Sequence, residues 1–302
     1  APPPPPTTAS GTPSICGAAA ATPFAAACCR APVPGMKVHS GSERARRAQR
    51  MVLELLQSDL PDTALTRDNE VDEWAAKLGV GRPRFAPRPQ QVADLSHAGI
   101  AVNMDACIQC TRCLRACRES QGNGVIGLAY SGGSAKIVFD MDDALGGSSC
   151  VGCGECVQAC PTGALAPAGG AALQPFDRSV DSLCPYCGVG CQLTYHVKDD
   201  KILSVDGRDG PSNQERLCVK GRFGFDYIHH NHRLSKPLIR RDDAPAKGLN
   251  VSPDDWQEVF REASWDEALD AAASGLLNLR SEHGGRAVAG FGSAKCTNEE
   301  AY

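Results

Sequence analysis

The sequence predicts an α+β chain of several domains, and three observations predict it. Cysteines gather in three tight groups between positions 107 and 191. Immediately after the third group, residues 191–210 alternate as two strands about the turn Lys198-Asp199-Asp200-Lys201, which reads as a hairpin. Near the end, a capped helical pattern over 264–285 gives way to the apolar run 286–294. Helix then strand is the opening of an α/β layer.

The elements follow in chain order. Residues 1–40 are Pro/Ala-rich and of low complexity. Residues 41–96 form a helical connector. Within it, "SERARRAQRMVLELLQSD" (42–59) is helical by pattern, with Met51, Leu53, Leu55 and Leu56 as its apolar side, and Pro61 ends it. A second short helix spans 69–80 with Gly79 as its stop signal, and 81–91 is a proline-punctuated linker. Residues 97–177 form the first cysteine-rich domain, with "APAGGAA" (166–172) marking its far edge. Residues 178–236 form a small β-rich domain around the third cysteine group. In 237–302, Ser264 and Glu267 make a capping box. Trp265, Ala268, Leu269, Ala272, Leu276 and Leu279 supply a buried stripe, Gly284-Gly285 stop the helix, and 286–294 reads as a buried strand.

Composition narrows the function. A formal charge of −4 argues against nucleic acid or an anionic membrane as the main partner. No run approaches the ~18 apolar residues of a membrane helix. The opening "APPPPPTTASGTP" lacks the charged and apolar regions of a secretory signal, so a cytoplasmic location is expected. Sixteen cysteines, clustered rather than spread, mean metal binding in a reducing compartment.

The first group is Cys107, Cys110, Cys113 and Cys117; the second is Cys150, Cys153, Cys156 and Cys160, followed by Pro161. Both read C-x2-C-x2-C-x3-C, the run of two-cluster bacterial ferredoxins, in which the fourth cysteine ligates the other cluster. A tight loop brings three thiolates to one face of a cubane, and the fourth iron points away. One [4Fe-4S] cluster is therefore assigned to Cys107, Cys110, Cys113 and Cys160, and the other to Cys150, Cys153, Cys156 and Cys117. The third group, Cys184, Cys187 and Cys191, follows C-x2-C-x3-C, with Cys218 beyond the hairpin as its fourth ligand. Structural zinc is the competing reading. Zinc wants four sulfurs around one atom, usually from two separated C-x2-C pairs, and triple-plus-one groups suit that poorly. Arg112, Arg115, Arg118 and Lys220 lie close to the ligands and either offset cluster charge or form a solvated face. His229, His230 and His232 lack a neighbouring cysteine or carboxylate and read as a connecting loop. "GFGSAK" lacks the dinucleotide fingerprint.

Five stretches, "CPYCGVGCQL", "LCVKGRFGFDYI", "HRLSKPLIR", "SWDEALDAAA" and "GFGSAKCTNEEAY", resemble the amino-terminal half of formate dehydrogenase alpha subunits of the molybdopterin oxidoreductase superfamily. The resemblance covers roughly residues 40–302. It implies a ferredoxin-like two-[4Fe-4S] module, then a small β-rich [4Fe-4S] domain, then the start of an α/β molybdopterin domain. It implies a molybdenum or tungsten bis(molybdopterin guanine dinucleotide), with Lys220 relaying electrons between the third cluster and a pterin. The implied substrate is formate, oxidised to CO2. The implied partners are a flavin/Fe–S beta subunit that reduces NAD+ and a gamma subunit. Departures from the family are also visible. Of a first [2Fe-2S] domain, only Cys16, Cys28 and Cys29 remain, so that cluster is expected to be absent. A His/Cys3 cluster after the 43–58 helix has no ligands here. The family's metal-ligating residue and its catalytic His and Arg match nothing in 1–302, and Cys296 reads as a buried thiol, so the chain is expected to be inactive alone. A stand-alone polyferredoxin-like carrier and an Fe–S subunit of complex I or nitrate reductase remain as alternatives. Iron at about twelve atoms per chain without Mo or W would favour the carrier.

Overall fold

The computed structural model describes residues 15–18, 25–26, 29, 31–61, 65–66, 68–247, 252 and 254–292. The chain divides into two compact units, 1–176 and 177–302.

The first unit opens with a small antiparallel sheet in the segment read as low complexity. Strand β1 (Ile15–Ala18) lies between β2 (Ala25–Ala26) and β3 (Val38–His39). Cys16 is on β1; Cys28 lies outside the described residues. Helix α1 (Glu43–Asp59) starts where Ser42 Oγ accepts the Ala45 N–H (3.3 Å) and stops one residue before Leu60-Pro61. Its inward face is Ala45, Leu53, Glu54 and Ser58, while Met51 and Leu55 face solvent. The expected apolar side of 51, 53, 55 and 56 is thus corrected. Residues two apart do not share a helix face, so that set could not be buried together. Helix α2 (Glu70–Leu78) packs on α1. It is capped by Asn69 Oδ1 on the Val71 N–H (3.0 Å) and closed by Gly79 in the left-handed region at φ 62°.

The cysteine-rich part is two short antiparallel ladders and two single-turn helices. Strand β4 (Ile100–Val102) pairs with β7 (Leu165–Pro167), placing Ile100 opposite Pro167. Strand β5 (Ile126–Ala129) pairs with β6 (Lys136–Phe139), placing Ile126 opposite Phe139. Helix α3 (Arg112–Arg115) runs on through a wider turn over Ala116–Ser120 and meets α4 (Glu155–Gln158). Ile100, Val102, Ile126, Phe139, Leu145 and Leu165 are among its buried apolar side chains. The connector joins this same unit. The Glu70 N–H donates to Pro161 O (2.9 Å), and Gly163, at φ +75°, sits where a Cβ would come within 3.0 Å of Leu65 and Thr66.

The second unit holds β8 (Arg178–Leu183), β9 (Gln192–Lys198) and β10 (Lys201–Gly207) in one antiparallel sheet, order β10-β9-β8. The hairpin turns at Asp199 and Asp200, both left-handed (φ 49° and 59°), the twist that a tight two-residue hairpin needs. Helix α5 (Val219–Phe223) follows, then the pair β11 (Leu238–Arg240) and β12 (Phe260–Glu262), then helix α6 (Trp265–His283). Ser264 Oγ caps α6 by accepting the Glu267 N–H (3.1 Å). Two expectations fail here. None of the 19 residues of α6 is buried, so its stripe is an exposed face. In place of a strand at 286–294, Gly285–Ala287 form a 3-10 turn and 288–292 run on exposed without a ladder. A strand needs a neighbour for its N–H and C=O groups, and no described segment supplies one. Cys296 lies outside the described residues. No described helix is long and apolar enough to cross a membrane.

Candidate metal centres

The two cysteine loops of the first unit are folded alike. In the first, Gln109 (φ 55°) and Thr111 (φ 59°) flank Cys110 in the left-handed region; in the second, Gly152 (φ 65°) and Gly154 (φ 74°) flank Cys153. The two positions correspond along the motif. That reversal curls three side chains toward one point. Gln109, which is not glycine, is held by its Nε2 donating to Ala135 O (2.6 Å).

Each loop faces a small, partly open pocket. Cys107, Cys110 and Cys113 line the first together with Cys160; the rest of its wall includes Met104, Ile137 and Leu165. Cys150, Cys153 and Cys156 line the second together with Cys117; its wall includes Val125, Ile126 and Leu145. The fourth cysteine of each motif has crossed to the other cavity. Backbone N–H groups point at two of the sulfurs, Gly152 to Cys150 Sγ (3.3 Å) and Leu165 to Cys160 Sγ (3.5 Å).

The thiols are electrostatically costly as thiolates without a cation. Burial, then the charge of neighbouring sulfurs, pushes Cys113 up to about 12 and Cys156 well above the ordinary thiol value. Burial raises Cys107, Cys110 and Cys153 as well. Arg88 pulls the other way on Cys107, and Glu155 adds to the rise at Cys153. A bound iron centre reverses this cost, because a coordinating thiol is deprotonated outright. Among the described residues, no three His, Cys, Asp or Glu side chains are gathered to hold a single metal ion. Four cysteines around an apolar-walled cavity suit a cluster better than one zinc at ~2.3 Å from each sulfur.

In the second unit, Cys184 and Cys191 meet across a backbone bond (Cys184 N–H to Cys191 O, 2.9 Å) and pack on Leu193, Val205 and Leu217. Burial raises Cys184, with the charges of Cys218 and Cys187 adding to it; Cys191 is raised by burial and then by Cys184, Cys187 and Cys218. The four sulfurs therefore feel one another. Gly221 leaves room beside them, since a Cβ there would lie 3.5 Å from Cys184 Sγ. The Tyr186 hydroxyl donates to the Gly224 carbonyl and pins the loop to the end of α5. Lys220 is exposed on α5, two residues beyond Cys218.

Other sequence-level candidates fall differently. Arg112 is held by a two-pronged pair with Glu70 (2.5 and 2.9 Å) and still draws the Cys110 thiol down, whereas Arg115 lies against Glu119 (3.3 Å). Arg118 is exposed. His232 pairs with Asp254 (3.0 Å), and its ring meets that of His230 edge-on at 5.1 Å.

Three residues outside the motifs shape the sites and were not singled out from the sequence. Arg88 donates from Nη2 to the carbonyls of Met104 (3.0 Å), Asp105 (3.2 Å) and Cys107 (2.9 Å). Asp94 accepts the Leu145 N–H (2.7 Å) at the second cavity. Asn213 donates to the carbonyls of Gln192, Arg208 and Arg216 and accepts the Gln192 N–H (3.0 Å), holding the loop that delivers Cys218. The only sequence signal was an arginine and two turn-forming residues in irregular chain.

Comparison with known families gives three matches. Residues 106–164 match a 4Fe-4S dicluster domain, 177–230 the molybdopterin oxidoreductase Fe4S4 domain, and 233–302 molybdopterin oxidoreductase itself. The protein named "Putative formate dehydrogenase" of Staphylococcus haemolyticus is 30% identical over 239 residues, covering 66% of this chain and 23% of that protein. The NADPH-Fe(3+) oxidoreductase subunit alpha of Geobacter sulfurreducens is 31% identical over 292 residues, covering 91% of this chain and 31% of that protein. The chain thus spans about a quarter to a third of the length of these relatives. A dicluster domain, an Fe4S4 domain and a molybdopterin segment in that order place the chain in the molybdopterin oxidoreductase family.

Proposed function

We propose that this chain is the iron–sulfur electron-transfer portion of a molybdopterin-dependent formate dehydrogenase alpha subunit. Its three [4Fe-4S] clusters would be held by Cys107, Cys110, Cys113 and Cys160; by Cys150, Cys153, Cys156 and Cys117; and by Cys184, Cys187, Cys191 and Cys218. The observation that carries the reading is the crossing of the fourth cysteines, with Cys160 lining the pocket of the first loop and Cys117 that of the second. A bound [4Fe-4S] cluster supplies one-electron transfer at a potential set by its surroundings.

The chain's own residues do the rest. The apolar walls cover the buried Cys113, Cys117, Cys153 and Cys156, and the Gly152 and Leu165 N–H groups stabilise sulfur charge. Formate gives CO2, one proton and two electrons; the electrons would leave singly toward a flavin/Fe–S partner that reduces NAD+. Lys220, beside the third cysteine set, is the proposed relay toward the pterin, and the complex would work in the cytoplasm. No residue of this chain is assigned to molybdenum or tungsten.

A second reading takes electrons from NADPH instead. The Geobacter relative favours it, because that match covers 91% of this chain against 66% for the formate-named protein. The test is donor-specific reduction of the anaerobically purified native complex containing this chain, read by EPR. Formate-driven cluster signals with CO2 release support the first reading. Signals from NADPH and none from formate support the second. A colourless, zinc-loaded preparation, silent after dithionite, would sink both.

A further inference from the structure

The third cysteine set is drawn from two pieces of chain. Cys184, Cys187 and Cys191 belong to one loop, which closes on itself through the bond from the Cys184 N–H to Cys191 O (2.9 Å). Cys218 arrives separately, from beyond the hairpin, at the start of α5. A cage of this kind holds four irons only while the separate thiolate stands opposite the loop.

One side chain spans the gap. Asn213 is buried, at 7% exposure. Its Oδ1 accepts the N–H of Gln192, the residue after Cys191 (3.0 Å). Its Nδ2 hydrogens serve three carbonyls: Gln192 (2.9 Å), Arg208 just past β10 (3.2 Å), and Arg216, two residues before Cys218 (3.1 Å). A single amide thus joins the end of the three-cysteine loop to the approach of the fourth ligand. That approach needs a tie. Gln214 and Glu215 are both left-handed (φ 46° and 66°), a conformation that non-glycine residues keep only when their surroundings impose it. Bonds from the Gln214 N–H to Gly210 O (2.8 Å) and from the Arg216 N–H to Asn213 O (2.9 Å) close the turn. Gly210 makes room for the amide, since a Cβ there would lie 2.7 Å from Asn213 Oδ1. Leu217 anchors the same segment in the core with Leu193 and Val205, but apolar contact fixes no direction, whereas the amide bonds do.

We propose that Asn213 is a positioning residue for the third cluster: by holding Cys218 against the three-cysteine loop, it decides whether that cage keeps four irons or three. The inference rests on the assignment of a [4Fe-4S] cluster to this set. When the Cys218 thiolate is out of place, a [4Fe-4S]2+ core breaks the bonds of one corner iron and releases it as Fe2+, leaving [3Fe-4S]0. The freed thiolate takes a proton from water. Added ferricyanide then removes one electron and gives [3Fe-4S]+, which is paramagnetic.

The test is iron analysis and EPR on the anaerobically purified full chain, native and as Asn213→Asp, Asn213→Ser and Cys218→Ala, each treated alike with ferricyanide. C218A is expected to show the three-iron signal and about eleven irons per chain in place of about twelve. N213D sets a carboxylate with no donor against three carbonyls, and is expected to give the C218A signal at least about tenfold above native. N213S keeps one donor and should fall between N213D and native. Dithionite-reduced signals of the two clusters in the first unit stay as in the native chain. The proposal fails if N213D keeps its four-iron cluster while C218A loses one iron, or if the three-iron signal of N213D differs in shape from that of C218A. It also fails if C218A keeps all four irons or loses all four, because the count would then not turn on Cys218. Should N213D lose the whole set, N213S decides: a three-iron signal above native supports the tie, and native behaviour or loss of the whole set overturns it. A native chain without iron sinks the cluster assignment itself, whereas an iron-loaded native chain with any of these failures sinks this inference alone.

Discussion

Asp94 serves a cysteine loop it is far from in sequence. Its carboxylate takes the Leu145 N–H (2.7 Å) and the Ser96 N–H (2.9 Å), and Ser96 Oγ in turn takes the Gly146 N–H (2.8 Å). Burial pushes this carboxyl up, but the hydrogen bonds from Ser96 and Leu145 outweigh it and leave it below the usual range. A carboxyl depressed in the folded state adds stability above its unfolded value, ~3.9, and loses it as pH falls through the lower folded value. Asp94→Asn is therefore expected to cost about 1–2 kcal/mol at neutral pH, because one N–H then faces an amide NH2. Urea midpoints of the native chain and D94N would differ equally at pH 7 and 6, and converge below about pH 4. A gap that widens with acid contradicts the role. At this scale the cysteines were legible, since a ligand loop is written in consecutive residues. Arg88 and Asp94 were not, because the partners that tie them to the cysteine loops lie 16 or more positions away across irregular chain, and no periodicity announces them. Arg112 misled for the same reason: its carboxylate, Glu70, is 42 positions upstream.

Among the elements, the hairpin β9–β10 is what returns the chain to the third cysteine set, and its closing residue has no room to spare. A Cβ on Gly207 would stand 1.8 Å from the Glu215 carbonyl oxygen and 2.6 Å from its carbon, so the backbone itself would have to move. The segment displaced is the one that carries Cys218, which starts α5. Gly207→Ala is expected to cost about 1–3 kcal/mol in the second unit, the usual range for forced overpacking. Iron would fall from about twelve toward about eight atoms per chain, with the two clusters of the first unit retained. Equal loss from all three sites would count against a local effect. The hairpin was readable because period-two alternation and an Asp-Asp turn coincide. Strand β8 was not, since "RSVDSL" is exposed at nearly every position and shows no buried side to alternate with. The face of α1 was misread because Glu54 turns inward to Arg84 (2.6 and 2.8 Å), an ion pair that hydrophobic patterning cannot foresee.

For the whole molecule, the surface of α6 decides how the chain behaves on its own. Trp265, Leu269 and Leu276 stand 69%, 60% and 52% exposed, and with Ala272 and Leu279 they recur every three or four residues along one stripe. Leu277, 61% exposed, flanks it. Such a stripe fits a covering element, and two copies of the chain can cover each other. Two copies would bury ten large apolar side chains, five from each and already about half covered, at about 1 kcal/mol apiece, which yields about 10 kcal/mol. Association costs about 4–15 kcal/mol in lost freedom. The two nearly cancel, which predicts weak, concentration-dependent self-association and no fixed dimer. Sedimentation of the 302-residue chain should show mass rising with concentration and little affected by salt, because the contact is apolar. Replacing Leu269 and Leu276 by glutamate should return it to a monomer while leaving the iron content unchanged, since both residues lie outside every cysteine set. A chain that stays monomeric at all concentrations, or a double variant that still associates, would show that this stripe does not drive contact.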